Sequence, residues 1–277
     1  MERISRGFRL LRASWEVLKQ DRELLVLPVL SFLLIVVAAV GLGGLGWASG
    51  LFRENREHNN ALYYVLAFGF YFVTYFISIY FNAAVIGAAM KRLEGGDPTV
   101  GDGLRAANSK LGKIAAWAAV AATVGLILRS LEERAGIFGR IALALVGAAW
   151  SAVTFFVVPV LLFEPVGVGQ GLKRSAQLFK QRWGEQFTGT VGIGLAMFLI
   201  AIPIVAVALA LGAVTPWLGI AVGVLGLGLL AAVGSALSGV FNAALYRFAT
   251  TGEAAGAFSA DDLNGTFRPR GGVFSRN

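Results

Sequence analysis

Two amides stand where apolar side chains are expected. "YFNAAVIGAAMKR" (80–92) and "VFNAALYRFATTG" (240–252) carry the same tetrad, Phe-Asn-Ala-Ala, near the ends of long apolar runs. A side-chain amide both donates and accepts hydrogen bonds. Inside hydrocarbon it must find protein or water, because lipid tails offer it nothing. Other neutral polar groups recur around Asn82 and Asn242 at helical spacing. Tyr64, Phe68, Tyr71, Tyr75, Ser78 and Asn82 step by four and three, with Thr74 beside them. Ser235, Ser238, Asn242 and Tyr246 share a second face, and Trp150, Ser151 and Thr154 form a third group. Such stripes either fasten helices to one another or line a polar cavity between them.

Catalytic constellations are hard to assemble. The chain has no cysteine and a single histidine, His58, so there is neither thiolate chemistry nor a His/Cys metal cluster. Ser49 and His58 form no convincing dyad, since nothing orients the imidazole. "GLGGLG" (41–46) matches Gly-x-Gly-x-x-Gly, yet it ends an apolar run with no strand before it. Its small residues, and Gly219 with Gly223, instead suit close helix approach. The glycosylation-type triplet at 264–266 falls in a tail expected to be cytoplasmic. No Asp or Glu lies within an apolar run, which argues against a proton relay. The expectation is a protein that is not an enzyme and needs no cofactor or metal.

The elements that carry these residues follow from composition. The chain is 57% hydrophobic and only 14% charged, where soluble domains are about 25% charged. Charges are absent from 24–52, 59–90, 114–128, 141–163 and 186–246. About 20 apolar residues cross a bilayer as a helix. The last run is long enough for two helices and breaks at "VTPW" (214–217), because Pro216 cannot continue a helix. Six spans result, near 24–46, 61–90, 113–130, 141–163, 188–213 and 217–249. A soluble fold lacks the polar residues to cover so much core, and the continuous runs do not alternate as barrel strands do.

Charge placement orients the spans. With a cytoplasmic N-terminus, the outer loops hold only Arg53, Arg56, Arg129, Arg134 and Arg140 of the 24 lysines and arginines. Every lysine falls inside. This asymmetry places both termini in the cytoplasm. The net charge of +8 then reads as topology and contact with anionic phospholipid, not nucleic-acid binding. A homo-oligomer is compatible with the pattern.

Short segments repeat. "VGDGLRAANSKLGK" (100–113) and "VGQGLKRSAQLFKQ" (168–181) share Val-Gly-x-Gly-Leu followed by Arg or Lys; "SWEVLKQ" (14–20) matches "SAQLFKQ" (175–181). Leu11, Leu104 and Leu172 correspond, as do Ser14, Ala107 and Ser175. Each segment precedes an ascending span and is amphipathic. The predicted stripes are Ile4, Phe8, Leu11, Trp15 and Leu18; Val100, Leu104, Ala107, Leu111 and Ile114; and Leu172, Ala176, Phe179, Trp183 and Phe187. Basic residues lie between them, including Arg6, Arg9, Arg12, Lys173, Arg174, Lys180 and Arg182. Such helices lie among lipid headgroups, or pack on one another as a cap.

The expected fold is therefore all-α: a polytopic membrane bundle of six transmembrane helices in three parallel repeats, each preceded by a basic amphipathic interfacial helix. The units are about 1–96, 97–164 and 165–250 of a single domain (1–250), followed by a tail (251–277). Both tetrads fall on returning helices of equivalent units, at similar depth. Glu164 closes the fourth span, and Arg174 or Lys173 can return to pair with it.

"VVPVLLFEPVGVGQGLKRSAQLFKQRWG" (157–184) resembles a broad group of uncharacterised prokaryotic six-span proteins. The membrane domain of glycerophosphodiester phosphodiesterases looks similar. "SWEVLKQDRELLVLPVLS" (14–31) and "LYRFATTGE…FRPR" (245–270) resemble one narrower family of unknown function within that group. The resemblance implies a six-helix membrane module without assigned catalytic residues. Two functions are open: a non-enzymatic module that interacts with lipid or organises a partner, and a channel or passive transporter with a neutral polar cavity between helices 2, 4 and 6.

Overall fold

The computed structural model describes residues 2–48, 60–182 and 188–258, with side chains left undescribed at 2–8, 60–64, 181–182 and 188–192. Ser49, His58, Trp183, Phe187 and the 264–266 triplet therefore lie outside the described residues, as do the side chains of Ile4, Arg6, Phe8, Tyr64 and Arg182. The described residues are helical apart from turns and short connections. In order they form α1 (Glu2–Gln20), a 3-10 turn (Arg22–Leu25), α2 (Val26–Ala48), α3 (Asn60–Leu93), α4 (Val100–Asn108), α5 (Leu111–Arg134), α6 (Ile137–Thr154), α7 (Val157–Phe163), α8 (Val168–Arg182), α9 (Thr188–Val214) and α10 (Pro216–Thr251).

Six helical segments are long and apolar enough to cross a membrane, with α6 and α7 counted as one. Their ends agree with the charge-free runs because a helix carries its charges out of hydrocarbon at both ends. The break at "VTPW" is where the sequence places it: Thr215 alone separates α9 from α10, and Pro216 opens the new helix. At N1 a proline loses no helical hydrogen bond. Pro203, by contrast, sits inside α9 without ending it. The fourth span differs from expectation. The sequence predicts one continuous helix over 141–163, but the helix breaks at Phe155–Phe156, just before Pro159 removes a backbone donor.

The buried core gathers at one end of the bundle, here called the basal end, where α1, α4 and α8 lie. Its largest fully buried side chains include Phe156, Phe241, Ile86, Leu161, Leu237 and Leu245. Helices α3, α7 and α10 all contact one another there. Helices of 34 and 36 residues are about 51 and 54 Å long, well beyond the roughly 30 Å of hydrocarbon. The excess length of α3 and α10 carries the core toward the membrane surface. Away from it, α6 has no buried residue, and Phe138 is 88% exposed. Large apolar side chains on that surface need no covering in lipid.

The three short basal helices seat on spans rather than on one another: α4 on α3, α8 on α6 and α7, and α1 on α9 and α10. The predicted apolar stripes coincide only in part with the faces that do this, at Leu18 and Ala107. On α1 the buried face is Leu10, Ala13, Ser14, Val17 and Leu18, while Trp15 stays 38% exposed. On α4 it is Gly103 and Ala107, with Leu104 only half-buried. On α8 it is Gly171, Ser175 and Leu178, with Leu172, Ala176 and Phe179 half-buried. The α4 and α8 faces are built around small residues, which let backbones approach, whereas α1 also buries Leu10, Val17 and Leu18. A Cβ on Gly103 would stand 2.6 Å from the Ala84 carbonyl oxygen, and one on Gly171 would stand 2.9 Å from Leu161 Cδ2. Beyond α10, Gly252 turns the chain at φ +77°, and Phe258 is buried in the core, so the first residues of the tail pack against the bundle.

Close approach also sets the α9–α10 hairpin. A Cβ on Gly219 would lie 2.4 Å from Gly212 Cα and 2.6 Å from the Ala208 carbonyl oxygen. At Gly223 the nearest atom is 3.4 Å away. The 41–46 glycines divide: Gly41, Gly43 and Gly44 have open space where a Cβ would be, whereas Gly46 is buried. We predict that Gly219→Leu lowers stability by about 1–3 kcal/mol through overpacking against backbone. Gly223→Ala should stay within about 0.5 kcal/mol of the parent. Thermal unfolding in detergent measures both, and equal tolerance at the two sites would contradict this packing.

Candidate functional site

The break in the fourth span exposes backbone groups that hydrocarbon cannot satisfy. Two side chains from other helices answer it. Ser175 Oγ on α8 donates to the Val153 carbonyl at 2.6 Å and accepts from the Phe156 N–H at 3.0 Å. Asn242 Nδ2 on α10 donates to the Phe155 carbonyl at 3.1 Å. The ordinary donor to that carbonyl would be the N–H of residue 159, which proline lacks. The second tetrad thus has a definite use. It ties α10 to the broken helix, leaving Asn242 Oδ1 buried without a partner among the described residues.

Asn82 does not repeat this. Among the described residues it has no hydrogen-bond partner. It lies where α3 crosses α10: a Cβ on Gly239 would stand 2.6 Å from Val85 Cγ1 and 3.8 Å from Asn82 Nδ2. Asn242 is three residues past Gly239, so the two amides differ in depth by only about 4.5 Å along the helix. Ser14 and Ser175 also diverge. Ser14 Oγ donates within α1 to the Leu10 carbonyl at 3.0 Å, while Ser175 reaches the break.

One turn beyond Asn242, Tyr246 donates from its hydroxyl to Glu164 Oε1 at 3.1 Å. The same oxygen accepts from Arg174 Nε at 3.2 Å. Phe163 stacks on the Tyr246 ring at 5.7 Å. The expected pairing of Glu164 thus selects Arg174, and Lys173 remains exposed. Arg174 is consequently engaged with Glu164 while its side chain stays 38% exposed. Glu164, Arg174 and Tyr246 join the end of α7 to α8 and α10.

Further ion pairs surround the C-terminal end of α3. Asp21, 5% exposed at its side chain, takes a two-pronged hydrogen bond from the Arg92 guanidinium, which also reaches Asp97 at 2.6 Å. Arg247 on α10 donates to the Leu93 carbonyl at 2.9 Å, closing the C-terminus of α3. Asp102 accepts from Lys91 at 2.8 Å and from Thr99 backbone and side chain, completing a capping box at the start of α4. These donors, Lys91 first, hold the Asp102 carboxyl well below the usual carboxylate range. Thr99-x-x-Asp102 is a readable capping signature, and it was the available signal for this feature.

Two of the remaining polar candidates, Tyr71 and Tyr75, serve contacts between helices. Tyr71 accepts at its hydroxyl from Arg129 of α5. Tyr75 closes on the same helix, its hydroxyl 2.7 Å from where a Gly125 Cβ would stand. Thr154 Oγ1 donates to the Trp150 carbonyl at 2.8 Å in its own helix. Thr74 Oγ1 is buried without a partner among the described residues. Ser78, Ser151 and Ser238 are exposed and Ser235 half-buried. No group of three or more His, Cys, Asp or Glu suited to a metal occurs among the described residues.

A groove of about 570 Å³ opens between α1, α9 and α10. Its walls are apolar, and none of the polar candidates lines it. At its basal mouth stand Leu11 and Trp15, and Lys19 lies over the Trp15 ring at 5.9 Å. Arg9, Arg12, Lys173 and Lys180 are exposed on the basal helices.

Asn242→Leu should lower stability by about 1–2 kcal/mol, because it removes the partner of the Phe155 carbonyl. Asn82→Leu should cost less than about 0.5 kcal/mol. Thermal unfolding of the two variants checks this, and an equal loss at both positions would contradict the assignment.

No curated protein and no solved structure gave a match, and the likeness to the glycerophosphodiester phosphodiesterase membrane domain has no support among the comparisons. One family model matches residues 61–257, from α3 through α10 and just beyond. It covers the broken span, the Asn242 contact and the Glu164 junction, and over two thirds of the chain. The chain belongs to a family of unknown function, DUF6159.

Proposed function

We propose that this chain is a non-enzymatic membrane module that interacts with anionic phospholipid at the cytoplasmic face of a prokaryotic plasma membrane. The observation that carries this reading is the placement of α1, α4 and α8 at one end of the bundle, with Arg9, Arg12, Lys173 and Lys180 exposed. Each basal helix has a face that includes small residues against the spans, and a flank of half-buried or exposed apolar residues beside it. That flank suits the boundary between headgroups and acyl chains. The cytoplasmic assignment of this end, and of both termini, rests on the scarcity of lysine and arginine in the opposite loops.

The same contacts favour three parallel repeats about an axis along the membrane normal. Helix α4 seats on α3, α8 on α7 and α1 on α10. In every case a basal helix lies against the returning span of the unit before it, taken cyclically. The three returning spans meet in the centre.

A channel or passive transporter is the second reading. The exposure of Ser78, Ser151 and Ser238 on the three returning spans favours it. Asn242, Thr154 and Tyr246 favour the first, since their polar groups are engaged with protein.

The test replaces Arg9, Arg12, Lys173 and Lys180 by Gln and leaves Arg174 in place. Each cation near a negative surface contributes about 1 kcal/mol. The expected result is a marked loss of co-purifying anionic phospholipid by native mass spectrometry, with zwitterionic lipid unchanged. Unchanged anionic lipid would overturn the proposal.

A further inference from the structure

The apolar groove has dimensions and a setting that specify an occupant. The tight α9–α10 hairpin holds its deep end closed: a Cβ on Gly226 would stand 2.7 Å from Ile204 Cγ2. Along α10 the lining runs from Gly226 to Leu237. Eleven residue steps span about 16 Å, which is half of the roughly 30 Å hydrocarbon core, the depth of one leaflet. The walls include Met197, Ile200 and Val233, so a polar ligand would lose its hydrogen bonds on entering.

The basal mouth differs from the depths. Trp15, the residue type enriched at membrane interfaces, stands there with Lys19 over its ring. Arg12 follows Leu11 directly, and its partner is Glu16 one turn away at 3.3 Å, both largely exposed. An exposed pair of this kind is weak, so the guanidinium is free to exchange Glu16 for a phosphate. Cations at the mouth and hydrocarbon to leaflet depth below it match an anionic phospholipid in both parts of its structure.

We propose that the groove between α1, α9 and α10 holds one acyl chain of an anionic phospholipid, with its headgroup phosphate at Arg12 and Lys19. The proposal rests on the lipid-interacting reading and adds to it a defined site. An acyl chain fits better than a partner helix, because a groove one leaflet deep and closed at Gly226 ends where a spanning helix would have to continue.

The test uses the full chain, purified and supplied with phosphatidylglycerol or phosphatidylcholine, with bound lipid counted by native mass spectrometry. Wild type should retain one phosphatidylglycerol per chain in preference to phosphatidylcholine. Val233→Trp or Ile200→Trp, each filling the groove from a different wall, should abolish that retention. Ile141→Trp, on the exposed face of α6, should leave it intact. Arg12→Gln with Lys19→Gln, a surface change that leaves the groove open and guards against misfolding of the filled variants, should weaken it roughly thirtyfold. Wild-type retention by a folded Val233→Trp or Ile200→Trp would overturn the groove assignment while leaving the general lipid reading standing. Equal retention of phosphatidylcholine, or no loss in the Gln pair, would overturn the headgroup assignment. Failure of wild type to retain any phosphatidylglycerol would overturn both the site and the reading on which it rests.

Discussion

Hydrocarbon provides no hydrogen-bond partner, and this constraint governs the molecule. A continuous helix meets it alone. The fourth span does not, because Pro159 lacks a donor and the helix breaks at Phe155–Phe156. The freed backbone groups draw Ser175 from α8 and Asn242 from α10. The break is thereby a junction, where three elements far apart in sequence must be present together. Glu164, Arg174 and Tyr246 join the same three elements about one turn nearer the basal surface. Among the polar residues that a sequence reader would assign to transport, Asn242 instead closes a backbone and Tyr246 joins an ionic junction, while Tyr71 and Tyr75 meet α5.

Packing around this junction relies on small residues. Gly103, Gly171, Gly219 and Gly239 each sit where a Cβ would intrude on a neighbouring helix. Lipid supplies no hydrophobic drive for helix association, so dense contact and hydrogen bonds must hold the bundle. That accounts for a core concentrated where α3, α7 and α10 meet, and for outer surfaces such as α6 that stay apolar and uncovered.

Much of this architecture is legible in the residues. Charge-free runs give the six spans, Pro216 marks the last hairpin, and Glu164 with Arg174 can be paired from their positions around α7 and α8. Other features are misread for physical reasons. The predicted basal stripes run through Leu11, Trp15, Leu104 and Leu172 and share Leu18 and Ala107 with the seated faces, which otherwise pass through Ala13, Gly103 and Gly171. Large apolar residues mark a core in water; in a membrane they also face lipid, and small residues mark contact. The "GLGGLG" run shows the limit of that rule, since Gly41, Gly43 and Gly44 meet no neighbour. The repeated tetrad predicts two equivalent asparagines that either fasten helices or line a cavity. Asn242 acquires its role from a break that lies in another helix, and Asn82 has no such carbonyl before it. The Asp21–Arg92 pair joins residues 71 positions apart, and neither residue type nor local spacing announces it.

The central claim is that Ser175 and Asn242 close one break together. A double-mutant cycle of Ser175→Ala and Asn242→Leu, read as thermal unfolding in detergent, tests it directly. If both side chains satisfy the same break, the two losses should couple by at least about 0.5 kcal/mol. Losses that add within about 0.3 kcal/mol would mean that the two contacts are independent, and the break would not be the joint on which the bundle depends.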